Sequence, residues 1–524
     1  MKHLFFSCLL TFVTGCLVAD VASYPASSLN KKIIDLSWSN PTIDFLSRNL
    51  ADMEKDSILD GVTIRVSGKP EVFNGKKVTP GGSPWGKEKG YCWKYESFQE
   101  AVATLKKLPF KKFTDNFYYC TTTTDQFDWF NDEDWKPVLN NFRIAAKVSK
   151  AANLKGLLFD LEEYGKLRIW HFDEIETKHS LAETSERVYL FGKQVGNAVF
   201  AEYPDIVLFM PFFLSFEGEL TIPFVNGLMA VMPPEAHIVS GHEYYSYTSR
   251  EPSDYKNLRY TLMSRFSRNV YPENRAKFFN QVSLGPAFYM DAIFGLLPYW
   301  SDALKPDIDK GIIPFMRRNL AAAIEESDRY IWFYSERGSW WNNTNHRQIK
   351  ATWQQRCPDL VKTIAKVKNL EKIPFNSPEN KLNNGDFSEN GGFSLWQIEK
   401  DQKKPCPGSG SIGNGKAVLR KITRGCFDQR IATEPGKSYF LRIRGKNTSK
   451  GRASCKVNFL DKNKKWLHPS RCFNLPLSRD GKETDISQLF TVPKYAYTMS
   501  VQLSVINEGD QGEVTYTGAL LLEL

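Results

Sequence analysis

The sequence predicts an α/β fold, a (β/α)8 barrel, followed by an all-β jelly-roll sandwich. Three observations predict it. Eight short apolar, β-rich runs alternate with amphipathic stretches of helical period across the first two thirds of the chain. No Gly-rich phosphate loop follows the first run, as it usually does in the alternative, a doubly wound open sheet. Beyond residue 380 the helical patterning stops, and short strands separated by turn residues replace it.

The N-terminus reads as an export signal over residues 1–22. Lys2 and His3 precede the apolar run "LFFSCLLTFV", too short to span a bilayer as a mature helix. "VTGC", ending at Cys16, resembles a bacterial lipobox; cleavage near Ala22 and Ser23 is the competing reading. The expected location is therefore outside the cytoplasm, either as a lipid-anchored outer-membrane or cell-surface protein or in the periplasm or medium. Four of the nine cysteines, Cys406, Cys426, Cys455 and Cys472, fall late in the chain. An oxidising compartment would allow two disulfides there, of open connectivity.

The barrel is expected over residues 30–345. Its strands are "KIIDLSW", "DGVTIRV", "FTDNFYYC", "LKGLLFDLEEY", "DIVLFMPFF", "AHIVSGHEYY", "QVSLGPAFY" and "RYIWFYSE". Between them, "TSERVYLFGKQVGNAVFAEY" sets Val188, Phe191, Val195, Val199 and Phe200 on one helical stripe. Residues 346–380, closing on "KIPFNSPENK", read as a linker, and 381–524 as the sandwich. The charge is uneven: from Lys381 onward 23 Lys and Arg face 14 Asp and Glu, a net of +9 out of +10 for the whole chain. An exported chain seldom meets nucleic acid, so a basic domain points to an acidic or sulfated glycan as partner.

The chemistry concentrates in "KGLLFDLEEYGK". In a barrel strand alternate side chains point to the lumen and to the helix ring. Leu157, Phe159 and Leu161 form an apolar face for the helices, so Asp160 and Glu162 point inward at the strand's C-terminal end. Barrel enzymes carry their active sites at that end. Glu163 points away. Asp160 beside Glu162 is expected to favour the protonated form of Glu162, fitting it to donate to a glycosidic oxygen. A second carboxylate must act as base or nucleophile. Glu336, at the end of the eighth strand, is favoured, and Glu243, beside His242 and Tyr244, is the other candidate. Trp38, Tyr244, Trp332, Tyr334, Trp340 and Trp341 are the candidate sugar contacts, since aromatic rings present flat apolar faces with a polar edge. No cofactor is expected, and seven histidines without HxH or HExxH spacing, with no CxxC, argue against a metal.

"GLLFDLEEYG" resembles the strand-four motif of family 18 glycoside hydrolases and related barrels, G-x-D-x-D-x-E. Asp160 and Glu162 match its last Asp-x-Glu, while Leu158 stands where the preceding Asp belongs. The resemblance implies a catalytic barrel type, with Glu162 as acid, rather than membership of that family. The C-terminal region resembles galactose-binding-like, jelly-roll carbohydrate-binding modules through Asn384-Gly385-Asp386-Phe387, Trp396, Gln429, Pro435-Gly436-Lys437-Ser438-Tyr439 and Val492-Pro493. Together these imply a glycoside hydrolase acting on a poly- or oligosaccharide by two-carboxylate acid–base chemistry. The rival is a non-catalytic glycan-binding lipoprotein on a degenerate barrel, which the Leu at 158 favours.

Overall fold

The computed structural model describes residues 31–524, apart from 87, 176, 215–217, 300, 303, 305–310, 343–349, 399–407 and 507–511. The export signal and its lipobox lie outside the described residues. All eight strand positions form: β1 (Lys32–Ser37), β2 (Gly61–Ile64), β3 (Phe117–Thr122), β4 (Gly156–Glu163), β5 (Val207–Met210), β6 (His237–Ser240), β7 (Val282–Leu284) continued as β8 (Ala287–Tyr289), and β9 (Tyr330–Ser335). They pair in parallel in the order β8-β9-β1-β2-β3-β4-β5-β6-β7. Only Gly285 and Pro286 separate β7 from β8, so the two ends of that order are one interrupted strand and the barrel closes. Trp332 N donates to Pro286 O at 3.0 Å and Asp328 N to Leu284 O at 3.1 Å across the join.

The helices that accompany the strands are α1 (Ile43–Lys55), α2 (Gln99–Lys107), α3 (Asp132–Ala151), α4 (Leu181–Glu202), α5 (Thr221–Ala230), α6 (Glu243–Tyr247), α7 (Pro252–Tyr260), α8 (Ile312–Glu326) and, after β9, α9 (Leu360–Lys368). Ser180 and Glu183 form a reciprocal capping box at the start of α4. Phe159 of β4 packs against Phe142 of α3 and Phe224 of α5, which fixes the outward face of that strand. Gly156 opens β4 because a Cβ there would lie 1.9 Å from Val207 O of the neighbouring strand.

The segment 346–380, read as a linker, is packed structure along much of its length. Trp353, Leu360, Ile364 and Val367 are buried, and α9 lies on α8 as the last helix of the ring. Its Pro- and Asn-rich end drew the linker reading, but the amphipathic helix before it has an apolar stripe that needs a partner.

Among the described residues the C-terminal region forms ten antiparallel strands: β10 (Ser394–Gln397), β11 (Ser409–Gly413), β12 (Lys416–Arg420), β13 (Arg424–Ala432), β14 (Ser438–Asn447), β15 (Arg452–Leu460), β16 (Phe473–Pro476), β17 (Glu483–Thr491), β18 (Thr498–Ile506) and β19 (Glu513–Glu523). Two five-stranded sheets result, ordered β10-β13-β18-β15-β16 and β11-β12-β19-β14-β17. The motif residues at its opening serve the fold. Phe387 is fully buried, and Gln429 takes Asn383 N at 2.8 Å and donates to Asn383 O and Gly392 O. Phe440, Leu520 and Leu522 of the sandwich extend the barrel's hydrophobic core.

The two disulfides that export would allow do not form among the described cysteines. Cys426, Cys455 and Cys472 are free, and Cys406 lies outside the described residues. The topology explains the first pair. Cys426 faces Ser504 and Cys455 faces Leu503, with β18 between their strands. Two strand spacings of about 4.8 Å exceed a disulfide's reach, and the one-residue offset turns the side chains to opposite faces.

Candidate active site

β4 carries the first part of the site. Its register with β3 runs Thr121↔Asp160 and then jumps to Thr122↔Glu163. Leu161 and Glu162 are thus extra residues in a bulge, a device that re-aims a side chain at the end of a strand. Asp160 is buried and Glu162 is partly exposed. Asp160 Oδ1 accepts the backbone N–H of Glu162 at 3.0 Å. The Tyr164 hydroxyl then lies 2.9 Å from Asp160 Oδ2 and 2.5 Å from Glu162 Oε2. It bridges the two carboxyl groups. Burial, followed by the charges of Asp160, Tyr119 and Glu162, pushes the Tyr164 pKa far above the usual phenol range, so this hydroxyl keeps its proton. Glu163 points the other way, where its carboxylate takes Trp170 N at 3.1 Å and lies 3.4 Å from His171 Nε2.

Glu243 reaches the same cleft by a different route. The sequence suggests a strand running through 245, but β6 ends at Ser240. Gly241 and His242 then turn the chain, His242 with a left-handed φ of +48°, and Glu243 opens α6. Such a backbone is costly for a non-glycine residue, and the buried ring is held in place by Ser240 Oγ at 2.8 Å and by stacking on Phe266. Burial lowers the His242 pKa to about 3, which keeps the imidazole neutral. The cleft is lined by Trp38, Arg65, Asp160, Glu162, Tyr164, Glu243 and Tyr334, among others.

Glu336 stands behind this wall. It lies one residue beyond β9 and accepts a hydrogen bond from Tyr289, with the Tyr334 hydroxyl at 3.4 Å. Its backbone N–H and that of Arg337 donate to the Asp291 carboxylate at 2.6 and 2.8 Å. Burial raises the Asp291 pKa to about 6. Tyr334 is the common neighbour: burial raises its pKa first, and the charges of Glu336, Glu243 and Glu162 raise it further. Three glutamates therefore converge on one phenol.

The aromatic candidates divide. Trp38 and Tyr244 are exposed, 41% and 46%, and Tyr334 faces the cleft. Trp332 is inward, as its strand alternation predicts, but wholly buried. Its indole N–H is shared between Gly241 O at 3.1 Å and Gly285 O at 2.9 Å, so it plugs the lumen and offers no face to a ligand. Trp340 packs on Phe333, the outward-facing neighbour, and Trp341 is buried. Neither lines the cleft. Tyr164, Tyr289 and Asp291 escaped sequence reasoning. Only Tyr164 left a local signal, two and four residues after the carboxylates it bridges. Among the described residues no group of His, Cys, Asp and Glu could hold a metal ion.

The sandwich has a second concavity, of about 610 Å3, on the face of the β10-β13-β18-β15-β16 sheet. Trp396 and Trp466 flank it, 39% and 52% exposed, with Arg424, Asp428, Arg430 and Lys456 between them. Arg430 lies over the Trp466 ring at 5.5 Å and 3.4 Å from Asp428.

No protein-family model and no curated protein matches the chain. Among solved structures it is similar to the enzymatically active domain of bacteriophage CBA120 tailspike protein 4, at 17% identity over 28% of this chain and 22% of that one, with a TM-score of 0.23. It is similar to a family 4 carbohydrate-binding module, at 16% identity over 27% of this chain and 99% of the module, TM-score 0.23. It is also similar to an arabinose-bound family 51 α-L-arabinofuranosidase, at 10% identity over 29% and 27% of the two chains, TM-score 0.21. The chain spans about a quarter of the length of the tailspike and of the arabinofuranosidase. At these scores the likeness carries no chemistry.

Proposed function

We propose that the protein is an exported glycoside hydrolase, with Glu162 as general acid and Glu243 as its partner carboxylate. The observation that carries this is the convergence of Glu162 and Glu243 in one cleft at the C-terminal mouth of the barrel, with Asp160 and Tyr164 holding Glu162. In that reading Glu162 delivers a proton to the glycosidic oxygen as the bond to the anomeric carbon breaks. Glu243 either activates a water or attacks the anomeric carbon itself, the separation of the two carboxyl groups deciding which. Sharing the cleft favours Glu243 over Glu336, the reverse of the preference drawn from strand ends. Glu336 orders Tyr334 and Tyr289 behind it.

The sandwich concavity belongs to the same reading, as the place where a glycan is held near the barrel. Two exposed indoles offer stacking faces, and Arg424 and Lys456 have no ion-pair partner among the described residues, which suits an acidic or sulfated chain. Lys2, His3 and the apolar run after them support export, with lipidation at Cys16. The test is release of reducing sugar from a panel of neutral and anionic polysaccharides by the intact protein and by Glu162→Gln. The second reading, a glycan binder without catalysis, is favoured by Leu158, which fills with hydrocarbon the place of the relay acid. Retention of glycan with no hydrolysis by the intact protein would establish it.

A further inference from the structure

A groove of about 480 Å3 lies beside the carboxylate cleft and shares one wall with it, the Tyr164 side chain. Its volume falls within the roughly 300–1,000 Å3 usual for small-molecule sites. The floor is the end of β3, through Thr121 and Thr123. The far wall is the long excursion between β2 and α2, which contributes Thr79, Ser83, Tyr91 and Trp93.

The groove is built, and its wall is stitched down. Ser83 Oγ donates to Thr123 O at 2.9 Å and accepts from Thr123 N at 3.0 Å, while Thr121 N donates to Gly82 O at 3.1 Å. Asn141 of α3, wholly buried, donates to Pro84 O and Tyr91 O and accepts from Trp93 N at 2.7 Å. A loop fixed by a buried amide at three points keeps its shape before any ligand arrives, which lowers the cost of binding.

The lining also states a preference. Ser83 Oγ, with its proton spent on Thr123 O, keeps an acceptor position, and the Thr121 and Thr123 hydroxyls, paired at 3.1 Å, keep one proton between them. The exposed Thr79 adds a further hydroxyl, and the half-exposed Tyr164 ring offers a flat face. The lining carries one charge of each sign, Lys77 and Glu88. The sandwich concavity is more cationic, with Arg424, Arg430 and Lys456 against Asp428.

We propose that this groove holds uncharged sugar units of the substrate, on one side of the bond that Glu162 protonates, so that the chain is read over several residues. The inference rests on the glycosidase reading for the identity of the cleft. The Tyr164 hydroxyl is tied to the carboxylates, and its ring forms the threshold over which the saccharide passes into the groove.

The experiment uses the full chain with Glu162→Gln to prevent cleavage and Trp396→Ala with Trp466→Ala to silence the sandwich. The probes are neutral cello-, xylo-, manno- and galacto-oligosaccharides from dimer to hexamer, measured by calorimetry. The best backbone should bind at least about tenfold more tightly as hexamer than as dimer. Thr79→Trp, an exposed position where the indole fills the groove, should abolish that length preference, and Thr79→Ala should keep it. Equal affinity at all lengths, a preference that survives Thr79→Trp, or no binding of any backbone would overturn the proposal. Turnover by the intact protein is scored separately. Hydrolysis without length preference sinks the groove and leaves the glycosidase; length-dependent binding without hydrolysis does the reverse.

Discussion

The barrel mouth and the sandwich concavity both gather charged and aromatic side chains, yet they are built in opposite ways. In the mouth the acids are held: Asp160 by a backbone N–H and a phenol, Glu336 by Tyr289, with Asp291 fixing its backbone. In the sandwich Trp396 and Trp466 are exposed, and Arg424 and Lys456 have no ion-pair partner among the described residues. Catalysis needs groups fixed before the substrate arrives, because only preorganised groups lower a barrier without reorganising during the reaction. Retention of a polymer needs accessible area and tolerates movement. Under the proposed function, the contrast fits chemistry at the first region and attachment at the second.

That division fails if the acids of the mouth are interchangeable. Glu243→Gln should lower turnover by roughly 10²–10⁴-fold, whereas Glu336→Gln, acting through Tyr334, should cost far less. Steady-state kinetics on the same polysaccharide compares them, and equal losses would remove the distinction between cleft and wall.

A smaller effect is expected at Tyr164. Tyr164→Phe keeps the ring and deletes the bridge between Asp160 and Glu162. A hydrogen bond to a charged group is worth about 1.5–3 kcal/mol, so kcat/KM should fall by roughly 10–100-fold. An unchanged pH–rate profile together with unchanged kcat/KM would show that the phenol only packs.

The sandwich should give the smallest change. Trp466→Ala in the full chain should weaken retention on an anionic polysaccharide by roughly tenfold and leave the hydrolysis of short substrates at the mouth as it was. Retention by the intact protein should fall between about 50 and 500 mM salt as the Debye length shrinks. Salt-independent retention would assign the binding to the indoles alone.

Much of this arrangement was legible in the sequence, because it follows from periodicity. The alternation in 156–162 put Asp160 and Glu162 inside and Phe159 outside; in the structure Phe159 packs on Phe142, and Asp160 and Glu162 line the cleft. Eight strand runs were enough to indicate the barrel. What the period could not carry was irregular backbone. The bulge at Leu161 and Glu162 and the left-handed His242 that delivers Glu243 have no signal in hydrophobic spacing. Trp340 and Trp341 looked like rim residues because they follow a strand end, but a chain leaving a barrel can turn either way. The groove beyond Tyr164 depends on a buried asparagine nearly fifty residues from the loop it pins, a long-range contact that a local reading does not reach.

The most direct measurement compares two leaving groups on the Glu162→Gln protein. A general acid matters most where the departing oxygen is a poor leaving group and least where it is an activated phenol. Turnover of a natural polysaccharide should fall by roughly 10²–10⁴-fold, and that of a dinitrophenyl glycoside of the same sugar by much less. A variant that hydrolyses both as fast as the intact protein, or loses both equally, would contradict the assignment of Glu162 as the acid.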